Sequence, residues 1–488
     1  MPACKSSACF RDPATMLQGR FRVLFGGMLL ALTAIGLSGC GTSIRNGPIN
    51  AAVAGVAPAS EGGIAAGSGD FDDTVVGLSF SGGGTRASAF AYGVLRELAR
   101  TQVSSRGTSS PLIDQVDFVS SVSGGSVTAA YFALRGRGIL DDFEEKFLNQ
   151  DVEAALRTSV VSPMNLVRLS SGGVNDSTGL QSWLDENLFG NATYQDVLTS
   201  GRPTLWINAA DIYNRTPFVF NRTTFAALCS DLSRFPLSEA VAASAAVPLV
   251  FAPVVIRNYA QRCNYPLPGW AQSALSDPNA PAVLRANAEA IKRYRNPEQV
   301  KFVKLLDGGL TDNLGLTGLL VERLAARAPH EPLGEEQAVR MRRMLFIVVD
   351  AGRPPGGEWA KEVGTAASDL IQAVADTAVD SNMRNSYDSF SSQLKSWNKE
   401  LIEWRCKLPG ERVKVLLGGE REWNCRDVSF HVVKVTFDQM PNPEVRAQLE
   451  KIPTRFKLEE DNVKLLLDSA GAILRRNSAY QRFLAAEN

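Results

Sequence analysis

The sequence has almost no histidine: His330 and His431 are the two in 488 residues. Any mechanism that needs an imidazole base therefore has two candidates. His330 lies in Ala328-Pro329-His330-Glu331-Pro332 and reads as a surface residue. His431 lies in the alternating stretch 428–437 and reads as a strand residue. Neither charge is in excess, because Lys+Arg and Asp+Glu both number 51. A nucleic-acid binder usually carries a basic surplus, so that class is disfavoured. None of the seven cysteines forms a C-x-x-C pair, which removes the usual zinc spacings. No internal repeat is present. The apolar run 23–37 is shorter than the roughly 20 residues that a membrane-spanning helix needs.

That run has another reading. Arg20 and Arg22 precede it, and it ends Leu37-Ser38-Gly39-Cys40. Basic residues, a short apolar core and small residues in that order mark an export signal. The ending resembles the lipobox of bacterial lipoproteins, which implies a diacylated Cys40 at the mature N-terminus. Residues 1–39 are then the signal peptide, with Met16 as an alternative start. The implied location is the bacterial cell envelope, at the outer membrane or periplasmic face, anchored by lipid. Residues 40–72 are rich in small and polar residues and read as a flexible tether. Export would expose Cys229, Cys263, Cys406 and Cys425 to oxidation. Bridges Cys229–Cys263 and Cys406–Cys425 are then expected, with four buried thiols as the alternative.

The body, residues 73–353, opens strand–helix–strand–helix. Residues 74–80 and 116–121 are apolar strands, and residues 85–100 and 124–134 carry helical spacing. That order predicts an α/β domain with a mostly parallel sheet and crossover helices. Further strands are expected at 204–209, 217–221, 249–256, 302–306 and 344–349. Helices are expected within 141–170, 237–246, 314–328, 362–396 and 458–484. Residues 258–300 break the rhythm and read as an inserted excursion. Residues 354–488 read as a helical and strand extension packed on the domain.

Three motifs carry chemistry. Ser81-Gly82-Gly83-Gly84-Thr85-Arg86 follows the first strand and opens a helix. Glycines let backbone N–H groups face an anion, and a helix N-terminus adds positive potential. The lysine of a P-loop is absent, and Ser120-Ser121 stands where a dinucleotide site wants an acid. An oxyanion hole or a plain tight turn remains. Ser121-Val122-Ser123-Gly124-Gly125-Ser126 sits at the next strand-to-helix turn, the setting of a nucleophile elbow, with small residues two before and two after Ser123. The bland alternative for Ser123 is a helix cap. Asp307-Gly308-Gly309 follows the strand at 302–306 and offers a carboxylate, or an ordinary turn. In a right-handed strand–helix–strand unit the first two turns emerge at the same sheet edge, so the glycine loop and Ser123 are expected to meet.

In that order, the three motifs make the chain resemble the patatin-like phospholipases over residues 75–315. Gly82-Gly83-Gly84 with Arg86 matches the family's anion loop, Ser123 with Gly125 its elbow, and Asp307-Gly308-Gly309 its D-G-G motif. The run Ala243-Ser244-Ala245-Ala246-Val247-Pro248 is similar to a small-residue stretch common in patatins. Ser121 departs from the usual elbow glycine. The resemblance implies a three-layer α/β/α patatin-like domain with a mostly parallel central sheet. It also implies a lipid acyl hydrolase working through a Ser123–Asp307 dyad and an acyl-enzyme, with no histidine, cofactor or metal. Gly82, Gly83 and Gly84, with Arg86, would hold the oxyanion. The substrate would be a membrane lipid or other acyl ester. The competing expectation is a catalytically idle, lipid-anchored envelope binding protein on the same fold. A Ser–His–Asp hydrolase using His330 or His431 is a third.

Overall fold

The computed structural model describes residues 47–53, 73–105, 108–156, 178–200, 203–248, 250–354, 367–419 and 422–486. The expected signal, Met16 and Cys40 lie outside them.

The elements that build the site run in this order: β1 (Thr74–Phe80), α1 (Gly84–Arg100), β2 (Val116–Val122), α2 (Gly124–Arg135), β3 (Thr204–Asp211), β4 (Thr216–Val219), α3 (Leu237–Ser244), β5 (Val254–Arg257), α4 (Gly269–Ser276), α5 (Ala282–Tyr294), β6 (Phe302–Asp307), α6 (Thr317–Leu324), β7 (Arg343–Asp350), α7 (Ala367–Arg405), β8 (Ser429–Thr436), α8 (Glu460–Arg476) and α9 (Ser478–Ala485). The main sheet is ordered β8-β7-β1-β2-β3-β6-β5, with β4 folded back on β3. From β8 to β3 every pairing is parallel. The β3–β4, β3–β6 and β5–β6 pairings are antiparallel.

A parallel sheet is covered on both faces, so its strands are apolar on both sides. All seven residues of β1 and all eight of β7 are buried. Alternate residues divide between two cores. Val76, Leu78 and Phe80 of β1, with Leu345, Ile347 and Val349 of β7, join one core with α1, α2 and α8. Val75, Met344, Phe346 and Val348 join the other with α6 and α7. The result is a three-layer α/β/α domain.

The chain's last third is part of this domain. The eight residues of β8 pair with β7 in unbroken parallel register, from Ser429 beside Arg343 to Thr436 beside Asp350. The helix expected at 458–484 is two helices, α8 and α9, separated at Asn477, whose side chain caps the second. The expected strand at 249–256 begins only at Val254, and the excursion at 258–300 holds the helices α4 and α5.

The tether also departs from expectation in part. Asn50 is 7% exposed. Its amide nitrogen donates to Arg257 O at 2.9 Å and its side-chain oxygen accepts from Arg257 N at 2.7 Å. Composition suggests no core here, yet one side-chain amide satisfies both backbone groups of an edge residue, as a paired strand would. Both expected bridges are present, Cys229–Cys263 and Cys406–Cys425.

Candidate active site

Ser123 occupies the sharp turn between β2 and α2 with φ 51° and ψ −123°. This backbone shape brings the start of α2 hard against the glycine loop. A Cβ on Gly125 would lie 2.5 Å from Ser81 O, and one on Gly124 would overlap Gly84 O. Only glycine fits either position. Ser121, where the elbow usually has glycine, is fully buried with its hydroxyl donating to Trp206 O on β3 at 3.3 Å. The turn therefore forms without that glycine.

Asp307 reaches the turn by a register the sequence did not reveal. On one side of β3, Val122 stands beside Asn208; on the other, Ala209 stands beside Asp307. β6 enters from beyond the carboxyl edge, antiparallel, and overlaps β3 for three residues. Its last residue consequently arrives next to the elbow. Ser123 Oγ donates to Asp307 Oδ2 at 2.7 Å, and Gly309 N donates to Oδ1 at 2.8 Å. Loss of hydration pushes the Asp307 carboxyl up to about 6, against the opposing pull of those two bonds. A carboxylate with a raised pKa beside a hydroxyl is suited to accepting its proton.

The glycine loop lies against Ser123. A Cβ on Gly82 would sit 3.2 Å from Ser123 Cβ. Gly82 N donates to Asn313 O at 3.2 Å, which anchors the loop, and Gly83 and Gly84 then turn with φ 140° and 61° into α1. There is no acidic residue in the first turn of α1, so its N-terminal potential is not offset locally. A segment from the end of the chain covers part of this loop. Thr85 N donates to Arg455 O at 2.8 Å.

Arg86 does not face the mouth of the site, as the loop pattern led us to expect. It is 4% exposed; its Nε donates to Ala351 O at 3.0 Å and its Nη1 to Ile452 O at 3.0 Å. Burial, reinforced by Arg353, pushes its pKa down to about 9, while Asp350 and Asp376 oppose that shift. Its guanidinium ties α1 to the loop after β7 and to the segment that covers Gly84.

Neither histidine bonds to Ser123 or Asp307. His330 Nδ1 lies 2.9 Å from Leu333 O, and its ring stands beside Trp404. His431 Nε2 lies 3.1 Å from Ser429 Oγ, on the sheet's outermost strand.

Two residues that no chemical motif singled out join the parts. Asn313 accepts from Gly82 N, and its side-chain oxygen fills the space beside Gly82 and Gly309. Ser244 ends α3 with its hydroxyl against Ser123 N. The only sequence signal for Ser244 is its place in the small-residue run 243–248. Asn313 has only its nearness to Asp307-Gly308-Gly309.

Residues 78–320 match the family model described as patatin-like phospholipase. Through these residues the chain belongs to the patatin-like phospholipase family. The matched span of this patatin-like protein contains the glycine loop, Ser123 and Asp307, and ends before β7, β8 and the covering segment. No curated protein matches the sequence. Among solved structures, human GIVD cytosolic phospholipase A2 is 13% identical with a TM-score of 0.38, over 85% of this chain and 60% of that one. VipD from Legionella pneumophila is 13% identical with a TM-score of 0.29, over 81% of this chain and 67% of that one. This chain thus spans 60% of the human phospholipase structure.

Proposed function

We propose that this patatin-like protein hydrolyses acyl esters of lipids through a Ser123–Asp307 dyad. The observation that carries the reading is the 2.7 Å bond from Ser123 Oγ to Asp307 Oδ2 on a strained elbow. In the proposed reaction Asp307 takes the hydroxyl proton as Ser123 Oγ attacks the ester carbonyl. The glycine loop receives the oxyanion. Gly82 N is engaged by Asn313 O, so the amides of Gly83 and Gly84 are the proposed donors, with the N-terminal potential of α1 behind them. Protonated Asp307 returns the proton to the departing alcohol, leaving an acyl group on Ser123. Water then attacks the acyl-enzyme with Asp307 again as base, the acyl–Oγ bond breaks as Asp307 returns the proton to Ser123 Oγ, and a fatty acid leaves. Arg86 acts in this scheme by holding the loop.

The proposed substrates are phospholipids or lysophospholipids of the bacterial envelope, reached by a mature protein anchored through a lipidated Cys40. Support for the anchor is the basic, apolar and small-residue order of residues 20–40; two disulfides agree with an oxidising compartment. The test is a digest of a defined phospholipid mixture by the purified mature protein, read by mass spectrometry of released acyl chains. Release by wild type and none by Ser123→Ala is expected. Equal release by both would end the proposal. Intact mass of the mature native protein tests the anchor, and an unmodified residue 40 would contradict it.

A further inference from the structure

We infer that Ser244 is a positioning residue for the reaction: its hydroxyl holds the strained backbone of Ser123, and its carbonyl sets the Asp307 turn in the same frame. The inference rests on the reading of Ser123 as nucleophile.

A non-glycine residue at φ 51° is held above its relaxed conformations and persists only where its surroundings fix it. At Ser123 the fixing group is identifiable. Ser123 N donates to Ser244 Oγ at 2.8 Å. Ser244 Oγ donates its one proton to Asn208 O on β3 at 2.6 Å. With that proton committed, the oxygen is an acceptor toward everything else it meets. It takes the Ser123 amide and, at 3.1 Å, the Ser126 hydroxyl. Ser244 is fully buried, so its hydroxyl holds these partners out of contact with bulk solvent.

The same short segment holds the other half of the dyad. Ser244 O accepts from Gly308 N at 3.1 Å, and Ala246 O accepts from Asp307 N at 2.8 Å. Three backbone amides, those of Ser123, Asp307 and Gly308, are therefore referred to one helix end. The separation of Ser123 Oγ and Asp307 Oδ2 is set by this frame as much as by the two side chains. An alanine at 244 keeps the backbone carbonyls but removes the acceptor of the Ser123 amide. An unpaired buried N–H favours relaxation of the elbow toward negative φ. That relaxation carries Oγ away from Asp307. A displacement of about 1 Å in a reacting atom costs on the order of 10²-fold in rate. Ser244 is fully buried and presents nothing to a bound substrate, so the loss is expected on kcat and not on KM.

The experiment measures kcat and KM on a short-chain ester, and the rate of Ser123 labelling by a fluorophosphonate, in wild type, Ser244→Ala, Ser126→Ala and Ser123→Ala. For Ser244→Ala we expect kcat and labelling rate to fall together by about 10–100-fold, with KM within about twofold of wild type. Ser126→Ala, which leaves both strong bonds of Ser244 in place, should keep most of both. Wild-type labelling in Ser244→Ala, a loss carried by KM, or an equal loss in Ser126→Ala would overturn the inference. Should Ser244→Ala fail to fold, Ser244→Cys carries the test, since a thiol is a weaker acceptor. Slowed labelling then supports the role, and wild-type labelling overturns it. Ser123→Ala separates the two readings: label still entering that variant would refute the nucleophile itself.

Discussion

Arg455 lays its carbonyl oxygen 2.8 Å from the amide nitrogen of Thr85, where the glycine loop becomes α1. The same oxygen would lie 2.5 Å from a Cβ on Gly84. Arg455 and Phe456 are tied in turn to Glu153, and Lys457 to Asp151. Gly84→Ala must both accept φ 61° and displace this segment. A left-handed alanine alone costs about 1–2 kcal/mol. The expected outcome is a Tm lowered by several degrees, with faster tryptic cleavage after Arg455 or Lys457. Unchanged Tm and cleavage would contradict the contact.

In the proposed mechanism Asp307 links activity to pH. Its carboxyl is raised from 3.8 to about 6, chiefly by loss of hydration. The base must be ionised, so kcat/KM is expected to rise with pH to a plateau above about 6. Stability runs the other way. Between about 4 and 6 the folded protein binds a proton that the unfolded chain has released, so this group's contribution is lost as pH rises through that window. Asp307→Asn is therefore expected to lose activity yet gain stability at neutral pH. The gain is on the order of 1 kcal/mol, once the partial exposure of the group is allowed for. pH–rate profiles and paired melting curves check both halves.

Arg86 is expected to act through structure. Arg86→Ala leaves the carbonyls of Ala351 and Ile452 without their charged donor. Charge-assisted hydrogen bonds contribute about 1.5–3 kcal/mol each, so a clear drop in Tm should accompany the change. The kcat loss should be similar on a neutral ester and on a phospholipid, because both would use the loop in the proposed mechanism. An unchanged Tm with a KM rise confined to phospholipid would instead assign Arg86 to the headgroup.

The contrast between Arg86 and Ser123 shows what was legible in the sequence. β1 and β2 are apolar runs closed by turn residues, so they could be read, and their parallel pairing brought Ser123 to the glycine loop. The arginine's direction depends on carbonyls at Ala351 and Ile452, which no local pattern links to residue 86. Asp307 could be picked out as a carboxylate after a strand, but its approach along an antiparallel β6 is a matter of strand order. Strand order is set by packing between distant segments. β8 shows the same limit: its alternation marked a strand, while its place beside β7 did not show. The long helix α7 was expected to end near residue 396, and it continues to Arg405, whose fully buried guanidinium bonds to Met341 O and Asp427. Ser244 looked like one small residue among several because its role lies in what its hydroxyl touches.

The two disulfides have sequence separations of 34 and 19 residues. Closing loops of that size stabilises a fold by roughly 2–4 kcal/mol each in the chain-entropy account. Reduction should lower Tm by several degrees while leaving kcat largely intact, because neither bridge touches Ser123 or Asp307. Melting curves and ester assays with and without reductant measure this. A Tm indifferent to reductant would count against the bridges.

The proposed hydrolysis runs on Ser123 and Asp307 without an imidazole. Its most direct test is kcat on a short-chain ester for Asp307→Ala beside the double variant His330→Ala/His431→Ala, both confirmed as folded. Near wild-type turnover is expected without either histidine, and a loss of at least about 10²–10⁴-fold without Asp307. Turnover that survives Asp307→Ala and disappears in the folded histidine-free variant would contradict it.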